Sequence, residues 1–372
     1  MRLTVTANYR VAFFIFYLLI LSLNLSVNYV NFPFLQSEKV NIERITTVLV
    51  FSIFLFDVVK NYKISLFKLY SLFIFFIFVL YKLVFGDEFS INYTAISFVL
   101  LCLLVKEKDE RFIIFISKFK FIFIFFIILL SYIKVIPSID IIKQNKDVLS
   151  SLGFLHTNGL GIMALGALID LALINEYRNK VYTLNILFAL TFSIVIFFLS
   201  GSRTSFILSI LVVGVMLCHS FLNKIEVTSF TKLLIFIIIL SLGFSPFFYI
   251  EDNDIWSRLN EVFNQRLFLG NLYLNTFGIN MFPVEVYQLF LEREYDILPY
   301  FNDNTYIAQL VSSGWLFTIL FNFMILGVFL KYKYSLYYFS LLSIVLLSMI
   351  VESSGYNIFL FSVFHFLYFR KK

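Results

Sequence analysis

An all-α, polytopic membrane bundle of about twelve transmembrane helices is the fold class this sequence predicts. Three observations predict it. Of the 372 residues, 60% are hydrophobic and 14% charged, whereas soluble domains carry roughly 45–50% apolar and about 25% charged residues. The apolar residues come in continuous runs such as Phe119 to Val135 and Leu233 to Ser245, approaching the ~20 residues that cross a bilayer as helix. Charged residues gather in short connections between those runs, where an outer-membrane barrel would show ~10-residue segments of alternating polarity.

Taken in order, the runs predict spans over 11–30, 45–59, 69–85, 89–105, 119–136, 152–173, 183–200, 204–222, 233–250, 305–330, 335–351 and 356–369. Arg2 and Arg10 precede the first run, and no small-residue cleavage site follows it. It therefore reads as an uncleaved helix and not as a signal peptide. Asn92 and Thr94 dilute the fourth span. The whole chain, 1–372, reads as one multispanning domain.

Orientation follows from the basic residues, which concentrate in cytoplasmic connections. With both termini in the cytoplasm, nineteen of the 29 Lys and Arg side chains fall on that side, Lys118, Lys120, Lys224, Lys232, Lys331 and Lys333 among them. All five prolines (Pro33, Pro137, Pro246, Pro283, Pro299) then fall at outer span ends or in the outer loop. Proline interrupts regular helix, so backbone irregularity belongs to the outer face. Cys102 and Cys218 both lie inside apolar runs and form no CxxC. Neither a disulfide framework nor a zinc site is supported. The net charge of +6 reports orientation here and not a nucleic-acid partner.

One stretch breaks the alternation. From 251 to 304 no membrane-length apolar run occurs, and nine acidic residues stand against Arg258, Arg266 and Arg293. A loop of that length in a multispanning protein points to function, and this one is predicted to lie outside the cytoplasm. Within it Trp256 reads as an interfacial anchor. Leu259, Val262, Phe263 and Leu267 recur at helical spacing, predicting one amphipathic helix over 256–269 on the membrane surface. Arg266, set between apolar residues in Asn264-Gln265-Arg266, is the stronger functional candidate; Arg258 reads first as surface charge.

Ser200-Gly201-Ser202-Arg203-Thr204 joins two spans through a tight outer turn. Gly201 allows the turn, and Ser202 or Thr204 is placed to cap the next helix. Arg203 falls in that helix's first turn, where anions are favoured. It reads either as part of a phosphate clamp or as a cation reaching lipid headgroups. Asp303-Asn304-Thr305-Tyr306 opens the next span; Asp303 at its mouth could accept a proton from a sugar hydroxyl, against the plain reading of a helix cap. Glu352 ends the eleventh span in a comparable position. His156 and Asn158 sit near the outer end of the sixth, where a single histidine reads more simply as a packing residue. No HExxH, P-loop or dinucleotide glycine motif occurs, so the sequence offers no metal-hydrolase or nucleotide signature.

Leu199-Ser200-Gly201-Ser202-Arg203-Thr204-Ser205, the outer loop with Arg266, and the exit Asp303-Asn304-Thr305-Tyr306-Ile307 with Gly314 beyond together resemble the Wzy-type bacterial polysaccharide polymerases. These belong to the O-antigen ligase and polymerase superfamily, and the likeness covers roughly residues 150–320. It implies an inverting, metal-independent glycosyl transfer without cofactor, in the bacterial cytoplasmic membrane. The implied substrate is an oligosaccharide repeat unit on undecaprenyl pyrophosphate, drawn from membrane lipid. A flippase and a chain-length regulator are the implied partners. Arg203, Arg266 and Asp303 are the implied catalytic groups. Arg258, His156, Asn158, Asn304, Tyr306 and Glu352 are expected around the substrate. Ligases of the superfamily carry a histidine in the large outer loop, and 251–304 has none, which favours polymerase over ligase. The rival reading is a lipid-linked oligosaccharide flippase. Against it stand the single dominant outer loop, the lack of a visible repeat, and the small number of ionisable residues expected deep in the spans.

Overall fold

A computed structural model describes residues 17–61, 69–70, 73, 76, 110–142, 148–251, 253–263, 265–282, 284, 286, 289–293, 296–300, 303–331, 333–352, 357 and 360–366. The span expected over 89–105 and Cys102 lie outside these residues, as do most of 69–85 and the end of 356–369.

Helices dominate. In chain order they are α1 (Tyr17–Tyr29), α2 (Pro33–Ser37), α3 (Lys39–Asn61), α4 (Glu110–Tyr132), α5 (Thr157–Arg178), α6 (Thr183–Ser200), α7 (Arg203–Leu217), α8 (His219–Leu222), α9 (Ser229–Gly243), α10 (Asp254–Val262), α11 (Arg266–Phe277), α12 (Thr305–Lys331) and α13 (Leu336–Val351). Four of them, within α4, α5, α6 and α12, are long and apolar enough to cross a membrane. Two short antiparallel ribbons depart from the all-helical expectation. Strands β1 (Asp140–Ile142) and β2 (Val148–Ser150) pair Asp140 with Ser150. Strands β3 (Leu289–Arg293) and β4 (Asp296–Tyr300) pair Leu289 with Tyr300 within the 251–304 segment.

The bundle is layered around α5. Of its crossing segment 83% is buried, against 33% for α4 and 28% for α6. Large apolar side chains such as Ile122, Phe125, Leu184 and Phe198 stay exposed on those two, as a lipid-facing surface requires. Between helices in lipid the drive is packing and not apolar burial, so small residues set the closest approaches. Gly161 of α5 is one: a Cβ there would stand 2.9 Å from the Cβ atoms of Ser202 and Ser205 on the start of α7. Residues of the chain end pack on α5 in the same way, since a Cβ on Gly166 would meet the Leu360 carbonyl at 2.6 Å.

Helix ends follow local chemistry. Asn253 caps α10 by accepting from Ile255 and Trp256 backbone N–H, Thr228 caps α9 and Ser335 caps α13. These satisfy donors that the helix itself leaves unpaired. At the α6–α7 turn Gly201 takes a left-handed conformation (φ 62°), as expected. Ser202 occupies the cap position without a capping bond; its hydroxyl donates to Ser205 Oγ instead.

Helix α12 departs from the uninterrupted span expected over 305–330. Its 27 residues would make about 40 Å of helix, more than the ~30 Å hydrocarbon core, and Gly314 breaks it (φ 81°, ψ 159°). The 251–304 segment supplies what the break removes: Trp315 N–H donates to the Asn280 carbonyl at 2.9 Å and Leu316 N–H to Met281 at 3.3 Å. A Cβ at Gly314 would stand 2.5 Å from the Met281 carbonyl oxygen, so a side chain there would push the loop away. Irregular backbone inside a membrane bundle survives only with such partners.

Candidate functional site

The predicted single helix over 256–269 is two helices. Between them Gln265 turns left-handed (φ 67°), and a local knot fixes the reversal. The buried Asn260 amide donates to Gln265 Oε1 and its carbonyl oxygen accepts from Phe268 N–H, while Gln265 N–H donates back to the Asn260 carbonyl. Periodicity alone could not show this, because the apolar spacing continues across the turn. Its consequence is positional: Arg266 becomes the first residue of α11. Helix α11 is held in turn by Asn271 Nδ2 on the Pro246 carbonyl and by Leu274 packed with Ile307, Leu310 and Val311 of α12.

From that position Arg266 reaches three elements. Its Nη2 lies 3.2 Å from Asp303 Oδ2, ahead of α12, and 3.8 Å from Glu352 Oε1, one residue past the end of α13. Its Nη1 approaches Thr204 Oγ1 of α7 at 3.5 Å. Asp303 is 34% exposed and Glu352 only 8%. Among the described residues Glu352 Oε1 accepts no hydrogen bond, despite its burial. The Glu352 backbone is tied down by Thr305, whose hydroxyl donates to its carbonyl at 2.8 Å. Burial, then the neighbouring Asp303 charge, push the Glu352 carboxyl up to about 8 against the opposing pull of Arg266. One guanidinium thus serves two acids of unequal exposure.

The other expected residues distribute around this cluster. Arg203 is exposed in the first turn of α7, next in sequence to the Thr204 that Arg266 approaches. Asn304 is buried and committed: its amide donates to the Gly243 carbonyl and its oxygen accepts from Tyr306 and Ile307 N–H. Tyr306 is also buried, donating to the Leu346 carbonyl and filling the space a side chain on Gly243 would need. These two hold α12 against α9 and α13 beneath the cluster and present no surface to a substrate. Arg258 is exposed on α10. His156, exposed, caps α5 by accepting from Asn158 N–H at 3.2 Å, and Asn158 is half-buried beside it. No contact joins His156, Asn158 or Arg258 to Arg266 among the described residues. Nor do three His, Cys, Asp or Glu residues gather there in metal-ligand geometry.

A second charged cluster is one of the few ionisable groups expected inside the spans. Lys120, counted above with the cytoplasmic lysines, is fully buried in α4 and meets Asp170 of α5 at 2.6 Å. Lys120 also donates to the Leu360 carbonyl and to Ser362 Oγ, and Ser362 donates to Asp170 Oδ2. The signal was present in the sequence. Asp170 is a single acid within Leu160–Asn175, and a lone acid in a span calls for a partner. Lys232, also assigned to the cytoplasmic edge, is buried with its ammonium 5.0 Å from the Tyr334 ring centre.

No protein family, no curated protein and no solved structure matches this chain in comparisons with known proteins.

Proposed function

We propose that this protein is a glycosyltransferase acting on the outer face of the cytoplasmic membrane, joining lipid-diphosphate-linked oligosaccharide repeats into a surface polysaccharide, as its likeness to Wzy-type polymerases implies. The observation that carries the reading is the meeting of Arg266 with Asp303 and Glu352, next to the Ser200–Thr204 turn that holds Arg203. In such a transfer the acceptor hydroxyl attacks the donor anomeric carbon. The carbon–oxygen bond to the diphosphate breaks and its electron pair leaves with the diphosphate. The hydroxyl proton needs a base. Asp303, partly open to solvent, suits that role. Arg266 and Arg203 suit the departing anion, since a guanidinium makes paired hydrogen bonds to phosphate oxygens.

The finer architecture belongs to the same proposal: about twelve spans, both ends in the cytoplasm, and 251–304 outside the bacterial inner membrane. A reporter active only outside the cytoplasm is expected to work at Glu285 and to be silent at Lys331; the reverse pattern would overturn the chemistry with the orientation. The buried Lys120–Asp170 pair favours the flippase alternative, because transporters use intramembrane charge. Deleting the protein separates the two. The polymerase reading expects single lipid-linked repeats on the outer leaflet and no long chains. Repeats trapped on the cytoplasmic leaflet would establish the flippase instead.

A further inference from the structure

Glu352 has no duty in the reaction just described, yet it is the more buried of the two acids beside Arg266. Two carboxylates close to one cation cannot both ionise without cost, and the group less exposed to water is the one that keeps a proton. Among the described residues, the titratable or charged groups that face Glu352 come from three elements. Arg266 starts α11, Asp303 precedes α12, and the Tyr29 phenol at the end of α1 is near enough to feel its charge. Of these, Asp303 repels a negative Glu352 and Arg266 attracts it. Its Oε1 lacks a hydrogen bond among the described residues, as expected of an acid whose ionised form is not provided for.

We infer that Asp303 and Glu352 share a single proton across Arg266, with Glu352 holding it, and that this leaves the guanidinium enough positive charge to bind a diphosphate. Glu352 is a positioning residue in this arrangement: it acts through Arg266 and touches no reacting atom. With Glu352 neutral, the Arg266–Asp303 pair has zero net charge and admits an anion. With Glu352 ionised, the cluster carries one negative charge and repels it. The proton is lost as pH rises through about 8, so the loss of function lies on the alkaline side. The inference rests on the polymerase reading only for its consequence in catalysis.

Two measurements on the full-length protein in detergent or vesicles test it. The first is an infrared pH titration without substrate. It is expected to show a protonated carboxyl band at pH 7 that disappears near pH 8 and is absent from Glu352→Gln. In Asp303→Asn, where the repelling charge is gone, the same band should disappear at lower pH. This second variant keeps Glu352 intact, so the test survives if Glu352→Gln fails to insert. The second measurement is polymer formation from lipid-diphosphate-linked repeats, whose rate should fall about tenfold from pH 7 to pH 9 in the wild-type protein. Glu352→Gln should flatten that ratio. A titration midpoint identical in Asp303→Asn and wild type, or an unchanged alkaline decline in Glu352→Gln, overturns the shared proton. Absence of polymer from the wild-type protein at every pH sinks the polymerase reading alone, and the infrared titration then decides the inference by itself.

Discussion

Two of the charged clusters among the described residues, Lys120–Asp170 and Arg266–Asp303–Glu352, are built on opposite principles. In the Lys120–Asp170 cluster one cation meets one acid, both fully buried. The ammonium donates to Asp170, to the Leu360 carbonyl and to Ser362, which uses all three of its donors. In the Arg266 cluster one cation meets two acids, Asp303 is a third exposed, and Glu352 Oε1 goes without a hydrogen bond. Asp170 Oδ1, like Glu352 Oε1, has no hydrogen-bond partner among the described residues; the first cluster is closed in the sense that its charges balance inside the protein. The second is open, and its balance depends on a proton or on an incoming anion. A completed ion pair is suited to holding segments together. Here it ties α4 and α5 to residues 360–362, just after the segment that follows Glu352. An uncompleted one is suited to binding.

That contrast can be broken by mutation, and the largest effect is expected in the closed cluster. Removing one partner of a buried pair leaves an uncompensated charge and costs about 3–5 kcal/mol. Asp170→Asn and Lys120→Met are each expected to lower the thermal unfolding midpoint in detergent sharply, and the double variant Lys120→Met with Asp170→Leu to recover most of it. Equal losses from single and double variants would show that the pair is not a unit.

Next come the arginines of the open cluster. Losing a donor that acts on transition-state charge costs ~2.7–4 kcal/mol, or 100- to 1000-fold in rate. Arg266→Ala and Arg203→Ala are expected to insert normally and to lose polymer by that factor, measured on gels at matched membrane abundance. Lysine at either position should rescue poorly, because an ammonium lacks the forked geometry. Arg258→Ala, on the exposed face of α10, is expected to have the smallest effect of the three. Near-normal polymer from both Arg203→Ala and Arg266→Ala would leave the open cluster without a role in anion binding.

Much of the bundle could be read directly from the chain. The helices lie close to the apolar runs: α6 covers 183–200, α13 covers 336–351 and α12 begins at Thr305, because in lipid an apolar run of span length has few alternatives to helix. Gly201 marked its turn for an equally local reason, a backbone conformation that other residues resist. Arg266, Asp303 and Glu352 stood out singly, as ionisable residues where the pattern offered no reason for them. The pairing of Arg266 with both acids was not legible, nor was that of Lys120 with Asp170. Their partners lie 37, 86 and 50 residues apart in the chain, and periodicity reports only neighbours within a few turns.

By itself, then, the sequence determined the membrane class, the course of most helices and the candidates for charge, since each depends on composition or on residues close in the chain. Tertiary structure alone decided that Gln265 would reverse the backbone to start α11 at Arg266. It also decided that the 280–282 backbone would fill the break at Gly314, and that Asn304 and Tyr306 would hold helices together and not face a substrate. The physical reason is common to all of these. Burial, hydrogen-bond satisfaction and the charge state of an acid are set by what the rest of the chain brings alongside, and for Glu352 that is an arginine from one segment and a rival carboxylate from another.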